Sequence, residues 1–591
     1  MFMKFFKRPE TKNQRRHEAP PVFIPWRFGV ICGFVALALF ALIGRAAYIQ
    51  VLEPGRLIQE GDLRSLRVKA MPSARGMISD RNEEQLAVSV PVQAIWADPV
   101  QIYKTGGIQE VQRWHALADV LGVDRQQLLT RLDKNKNRRF IYLQRQVSPA
   151  MAAYVSKLKL PGIGLKDESR RFYPAGEVSA HIIGVTGIDS HGLEGVERTY
   201  DGWLTGEPGR RTVRKDRYGR VVENISLQKR EPGKPLVLSI DQRLQAVAYR
   251  AVKQAVVDYR ATSASVVMVD VRTGEILAMV NAPSYNPNNR SQLQSYRMRN
   301  RAITDAMEPG STIKPFVVLA AMENGTADEN TIINTGNGIF QIGGSRVRDV
   351  SKAGKANLAK ILQKSSNIGV SKLSLAMPVD ALLGMYSSVG LGDESGINLI
   401  GEAMGFFPDR RRWSDFERAT LAFGYGISVT PIQLVRAYAT LGALGVNRPL
   451  SILKTEDVVP GRQVVSAENT RKLLNMLETV THPEGSAKRA AVPGYRVGAK
   501  TGTAKKAAAG GYSDEYVAMT AGLAPISNPR LAMVVVVNEP QGDQYYGGAI
   551  AAPIFAEVMG SALQILNVPP DAGTGDQLNI VHNKGNTHGD T

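Results

Sequence analysis

The sequence predicts an α+β protein: a single N-terminal transmembrane helix, a mixed α/β domain after it, and a larger C-terminal domain built on one sheet flanked by helices. Three observations carry this. One uncharged run stands near the N-terminus. A region rich in Gly and Pro then mixes short alternating strands with helical periods. Beyond Lys229-Arg-Glu-Pro-Gly-Lys-Pro235, strand-like apolar runs at both ends enclose a helical middle. With 591 residues the chain exceeds one core at ~100 to 200 residues per domain. Its 43% hydrophobic and 21% charged residues exclude wholesale disorder and a polytopic membrane protein.

The uncharged run is Phe28 to Gly44, 17 residues between Arg27 and Arg45, about 26 Å long as a helix and near the minimum for a bilayer. Trp26 and Tyr48 bracket it at interfacial depth. Upstream, Lys4, Lys7, Arg8, Lys12, Arg15, Arg16 and Arg27 outweigh Glu10 and Glu18, which puts the N-terminus in the cytoplasm and the rest outside. The run is longer than a usual signal-peptide h-region and no small-residue cleavage site follows it, so an uncleaved anchor is favoured. The expected divisions are a basic arm (1–27), an anchor (28–48), a mixed domain (53–229), a second domain (236–566) and a flexible tail (567–591). The balance of 73 Lys+Arg against 54 Asp+Glu is +19, and +13 remains beyond residue 45. Outside the membrane the abundant anions are lipid head groups and cell-wall polymers, so no nucleic acid is expected. One cysteine, Cys32, and seven histidines without an HExxH pattern give no disulfide framework, metal site or cofactor.

In the mixed domain, Gln93–Trp96 and Phe140–Leu143 read as strands and Val111–Leu121 as a helix. Glu194 and Glu197 have an i, i+3 spacing that could be mistaken for an acid pair, and His115, His181 and His191 read as structural or surface groups. In the second domain, Leu236–Ile240 starts the apolar region. Ser265–Val271 and Glu275–Val280 are strands joined at Arg272-Thr-Gly274, and Leu531–Val537 is a buried strand. Thr430-Pro-Ile-Gln433 has the N-cap, N1 proline and N3 glutamine of a capping box.

Three motifs follow in order: Ser311-Thr-Ile-Lys314, Ser365-Ser-Asn367 and Lys500-Thr-Gly-Thr503. Each alone is weak, since Ser156-Lys-Leu-Lys159, Ser284-Tyr-Asn286 and Lys104-Thr-Gly106 repeat them out of order. The ordered trio suits acyl transfer. Ser311 opens a helix, where free N–H groups stabilise developing negative charge. Lys314 lies one turn along, where a neutral amine can accept the hydroxyl proton. Lowering a lysine by ~3 units requires ~4 kcal/mol of bias, which burial and a neighbouring cation, Lys500, can supply. Ser365 can relay a proton to the leaving amine, and the Asn367 amide can hold a substrate carbonyl and orient the lysine. Gly502 lets a peptide lie along the strand, the N–H groups of Thr503 and Ser311 form an oxyanion hole, and Lys500, Thr501 and Thr503 suit a terminal carboxylate.

Asn300-Arg-Ala-Ile-Thr-Asp-Ala-Met-Glu-Pro-Gly-Ser311, Lys364-Ser-Ser-Asn367, Phe423-Gly-Tyr-Gly426, Val429-Thr-Pro431 and Lys500-Thr-Gly-Thr-Ala-Lys505 resemble the class B penicillin-binding proteins. Arg75-Gly-Met-Ile-Ser-Asp-Arg-Asn82, Arg171-Phe-Tyr-Pro-Ala-Gly176, Gly192-Leu-Glu-Gly-Val-Glu197 and Arg214-Lys-Asp-Arg-Tyr-Gly219 resemble their N-terminal pedestal, a setting that implies a structural role for Glu194 and Glu197. The likeness runs from Trp26 to about Leu566 and is strongest to the division-specific members. It implies a pedestal of the dimerisation type and a penicillin-binding transpeptidase domain with a central antiparallel sheet flanked by helices. It also implies D,D-transpeptidation, in which Ser311 takes the acyl group of one peptidoglycan stem peptide, expels D-Ala and passes the acyl to an amine of a neighbouring stem. Further implications are inhibition by β-lactam antibiotics, residence in the inner membrane with the catalytic domain in the periplasm, and partners among division-complex membrane proteins, including a glycosyltransferase. Two rivals are a β-lactamase or β-lactam sensor sharing the acylating serine, and a division scaffold with a vestigial pocket.

Overall fold

The computed structural model describes residues 25–573 except Pro72, 217–220, Arg290, Gln292, Asp409, Arg411 and Ala509. The cationic side chains from Lys4 to Arg16 and the last part of the expected tail, 574–591, lie outside the described residues. The chain divides into two compact units, one of residues 1–71 with 209–229 and the other of the remainder. The expected 53–229 domain therefore draws on both.

The first unit contains the helix Pro25–Ala47, none of whose residues is buried. Its continuous apolar stretch, Pro25–Val51, is long enough to cross a membrane. A second helix, Pro54–Ser65, follows, then an antiparallel sheet in the order Leu66–Met71, Gly209–Lys215, Val221–Gln228.

In the second unit the strand Gln85–Ala97 pairs antiparallel with Ile141–Val147 and Ile163–Phe172. The helices Val111–Leu121, Arg125–Asp133 and Pro149–Lys157 contribute Trp114, Leu117, Leu132 and Val155 to a core of its own. The strand expected from Phe140 begins at Ile141, because Phe140 is exposed and stacks on Trp96. Glu197, fully buried, receives the guanidinium groups of Arg75 (2.5 Å) and Arg171 (2.6 Å). It is a structural counter-charge, as the sequence suggested.

The second unit also contains a five-stranded sheet: β1 (Ser263–Asp270), β2 (Ile276–Ala282), β3 (Gly498–Ala508), β4 (Gly511–Ala524) and β5 (Leu531–Asn538). Their order is β2-β1-β5-β4-β3, antiparallel throughout, so β3 is an edge. Val267 sits at its centre, opposite Met279 and Val534. β1 and β2 are buried at every residue because helices cover both faces, which is why they read as unbroken apolar runs. The helices that matter for the site are α1 (Gln242–Asp258), α2 (Lys314–Glu323), α3 (Asn367–Ala376), α4 (Pro431–Gly442) and α5 (Gly547–Ile565).

The apolar segment expected over Leu236–Ile240 forms a strand only at Leu236–Val237, since Asp241 already caps α1 by accepting the Arg243 N–H. α4 begins with the anticipated capping box: Thr430 Oγ1 accepts the Gln433 N–H while Gln433 Oε1 accepts the Thr430 N–H. α5 is also long and apolar enough for a membrane. Its residues Ile550, Phe555 and Val558, however, are buried in the domain core. Residues 567–573 are tied down rather than loose, with Asp571 accepting the N–H groups of Arg496 and Ser527 and Val568 accepting the Tyr495 hydroxyl.

Candidate active site

Ser311 lies in a 3-10 turn, Gly310–Ile313, that runs directly into α2. The sequence placed it at the first residue of the helix; the tighter turn comes first, and Pro315 is accommodated where a missing N–H costs nothing. This turn is braced from two sides. The Gly310 N–H donates to Gly424 O (3.1 Å), and the Tyr438 hydroxyl of α4 donates to Thr312 O (2.7 Å). At Gly424, whose φ is +86°, a Cβ would fall 2.2 Å from Gly310 O, so only glycine permits that approach.

The two lysines are fully buried. Lys314 Nζ donates to Asn367 Oδ1 (2.6 Å) and to the carbonyl of Ser365 (2.7 Å), and lies 3.2 Å from Ser365 Oγ, a hydroxyl that can donate or accept. Lys500 Nζ, from β3, donates to the same Ser365 Oγ (2.9 Å) and to Thr501 O (3.0 Å). Ser365 thus bridges two amines. It does so from a left-handed backbone conformation, φ +55°, uncommon for a residue with a Cβ and characteristic of functional sites. Burial, then the Lys500 charge, hold the Lys314 amine well below its ordinary value against the opposing pull of Asp349. Burial lowers Lys500 to about 7.

The third motif is arranged differently along its length. A Cβ on Gly502 would lie 2.8 Å from the Thr312 methyl and 3.1 Å from Pro309 O, so its missing side chain lets β3 close on the turn that carries Ser311. That requirement is one of packing, which a sequence reading in terms of substrate alone does not contain. Thr501 is buried, and Thr503 Oγ1 accepts the N–H of Gly547 at the start of α5 (3.0 Å), leaving the Thr503 hydroxyl proton free to point elsewhere. The sequence carries no signal for Asp349, whose carboxylate holds the segment around Ser365, and gave no role to Glu308, which stands in the Asn300–Ser311 motif and accepts the Gly426 N–H (2.9 Å) and the Tyr512 hydroxyl (3.1 Å). The out-of-order copies lie elsewhere. Ser156, Lys159 and Lys104 are exposed, and the Ser284 hydroxyl donates to Glu177 O.

Lys500 makes a separable prediction. Keeping an amine at about 7 rather than 10.5 opposes folding by about 5 kcal/mol at neutral pH, part of which its hydrogen bonds offset. Between those two values the unfolded chain binds more protons than the folded one, so stability rises with pH across that window. Lys500→Met is expected to raise the melting temperature at pH ~7, by roughly 1 to 3 kcal/mol of added stability. The gain should shrink towards pH ~10. Thermal unfolding of both proteins at the two pH values checks this.

Comparison with known proteins gives a consistent picture. Residues 264–560 match the penicillin binding protein transpeptidase domain family, and residues 70–238 the penicillin-binding protein dimerisation domain family. The chain is 52% identical over 578 residues to the peptidoglycan D,D-transpeptidase FtsI of Escherichia coli (strain K12), covering 98% of each. It is 37% identical over 575 residues to the probable peptidoglycan D,D-transpeptidase PenA of Neisseria gonorrhoeae, covering 96% of this chain and 98% of that one. Among solved structures, a peptidoglycan synthetase from Bifidobacterium adolescentis superposes with a TM-score of 0.68 at 25% identity, covering 86% of this chain and 98% of its own. The apo transpeptidase domain of Burkholderia pseudomallei penicillin-binding protein 3 does so with a TM-score of 0.53 at 39% identity, covering 57% of this chain and 98% of that one.

Proposed function

The chain belongs to the class B penicillin-binding proteins and is a serine-type peptidoglycan D,D-transpeptidase of cell division, and from that premise we propose the roles its residues play. Ser311 is the nucleophile. Its oxygen attacks the carbonyl between the two terminal D-alanines of a stem peptide, and its proton passes to the neutral Lys314 amine. Ser365, hydrogen-bonded to Lys314, then relays a proton to the departing D-Ala nitrogen as the C–N bond breaks, leaving an ester on Ser311. An amine of a neighbouring stem attacks the ester, gives its proton to the same relay and restores the serine. Asn367 orients Lys314. Lys500 with the hydroxyls of Thr501 and Thr503 holds the terminal carboxylate, and the donor peptide lies along the open edge of β3 as an added strand, beside Gly502.

The observation that carries this reading is the single hydrogen-bonded network of Lys314, Ser365, Asn367 and Lys500, in which burial and a second lysine hold the amine three residues after the serine well below its ordinary pKa. A β-lactam presents the same acyl group with a leaving amine that cannot depart. Mass spectrometry of the full-length chain after reaction with labelled penicillin is expected to find one long-lived adduct, on Ser311. Modification of another residue, or release within seconds, would refute the assignment and, in the second case, favour a hydrolase.

The same reading extends to the setting. The apolar helix anchors the protein, with the N-terminal arm in the cytoplasm and residues beyond it in the periplasm, where the substrate lies. The reading supplies only the cross-linking step, so the glycan strand comes from a separate glycosyltransferase among the membrane proteins of the division complex.

A further inference from the structure

Ser365 and Asn367 do not hold their positions unaided. A hairpin, Ile339–Ile342 paired with Ser345–Arg348, delivers Asp349 beside the first turn of α3. Asp349 Oδ2 accepts the hydroxyl of Ser366 (2.6 Å), the residue between the two, and Oδ1 accepts the N–H of Ile368 (2.9 Å). Ser366 Oγ in turn accepts the Gly369 N–H (2.9 Å) as the N-cap of α3. The carbonyl of Arg348 accepts from Asn367 Nδ2 (2.9 Å), which leaves Oδ1 of that amide facing Lys314. A carboxylate accepting two short bonds at a helix start is a strong local anchor. Here it fixes a segment whose serine sits in an unfavourable backbone conformation.

We propose that Asp349 is a positioning residue for acylation, one that anchors the Ser365–Asn367 segment against Lys314 and supplies the negative charge opposite the proton the lysine takes up. The charged groups that act on the Lys314 amine are Lys500 from β3 and Asp349 from the hairpin exit; Ser365 and Asn367, which touch it from the α3 segment, are neutral. Lys500 and burial favour the free amine and Asp349 favours the ammonium, so the cation formed when the amine takes up a proton has a counter-charge in Asp349. This inference rests on the reading of Lys314 as the base.

The test is the second-order rate of acylation by a fluorescent penicillin, measured from about pH 5 to about pH 9 on the full-length protein in detergent. In the wild type the acid limb marks protonation of Lys314. Asp349→Asn is expected to lower the plateau roughly tenfold to a hundredfold and to move the acid limb to lower pH, because loss of the negative charge weakens the ammonium. Ser366→Ala removes one anchoring bond but no charge, and is expected to lower the plateau with the limb in place. Asp349→Glu, which keeps the charge, should leave the limb unmoved. Should thermal unfolding show that Asp349→Asn does not fold, Asp349→Ala is expected to give the same movement. An unmoved limb in the charge-removing variant, or an equal movement in Ser366→Ala, overturns the role of Asp349 and leaves Lys314 as the base. A wild type with no acid limb overturns both.

Discussion

Replacing Lys314 by arginine is expected to suppress acylation of Ser311 by roughly 10² to 10⁴-fold, the range a general base contributes, while the protein still binds and folds. The reason is protonation before it is size. Burial and Lys500 hold the lysine amine well below its ordinary pKa, whereas a guanidinium does not lose its proton under those conditions. An arginine there would retain donors for Ser365 and Asn367 and so preserve much of the network's geometry, yet offer no lone pair to the serine proton. Stopped-flow acylation with a chromogenic cephalosporin gives the rate, and thermal unfolding reports whether the enlarged side chain has disturbed the fully buried site. Acylation within tenfold of wild type in a folded variant would mean that another group takes the proton. Lys500 would then be the alternative, since its amine also reaches Ser365 and lies near neutrality.

Much of this site was legible before any coordinates. The strands β1, β2 and β5 announce themselves as apolar runs bounded by turn residues, and α4 announces itself by a capping box, because such signals depend on neighbours in sequence. The order of three short motifs likewise set Ser311, Lys314 and Lys500 apart from their out-of-order copies. What the sequence does not contain is the reach between distant segments. Nothing near Leu66–Met71 says that it pairs with Gly209–Lys215 rather than with the strands that follow it directly. Nothing around Asp349 says that its carboxylate caps a helix start on which two site residues depend. Gly502 shows the same limit from the other side: its identity was readable, but the Thr312 methyl that forbids a side chain there becomes visible only when β3 and the nucleophile's turn are packed together. Local periodicity encodes elements, whereas contacts across the fold emerge from the total burial of the chain.

The largest effect on stability is expected far from the serine, at Glu197→Ala. Glu197 is fully buried between Arg75 and Arg171, whose side chains are 3% and 2% exposed. Its two carboxylate oxygens go one to each guanidinium, and its own carbonyl accepts a further bond from Arg75 (2.7 Å). Arg75 has a second partner in Asp201, but among the described residues Arg171 finds only the Ser89 hydroxyl and a distant carbonyl beyond Glu197. Removing the carboxylate leaves two cations in a space that water does not reach, with only one of them partly compensated. Breaking a buried pair in this way costs about 3 to 5 kcal/mol. Ile182, Ile183 and Val196 around this group belong to the same continuous apolar core as the strands of the catalytic domain. The loss should therefore appear as a lower melting temperature for penicillin-binding activity itself, not only for the pedestal. Glu197→Gln, which keeps the shape and one acceptor, is expected to lose less. Residual penicillin binding after heating, measured on both variants, decides the matter. A change below about 1 kcal/mol for the alanine variant would show that the two arginines reach solvent once the carboxylate is gone, and that the buried charge does not join the pedestal's stability to that of the active site.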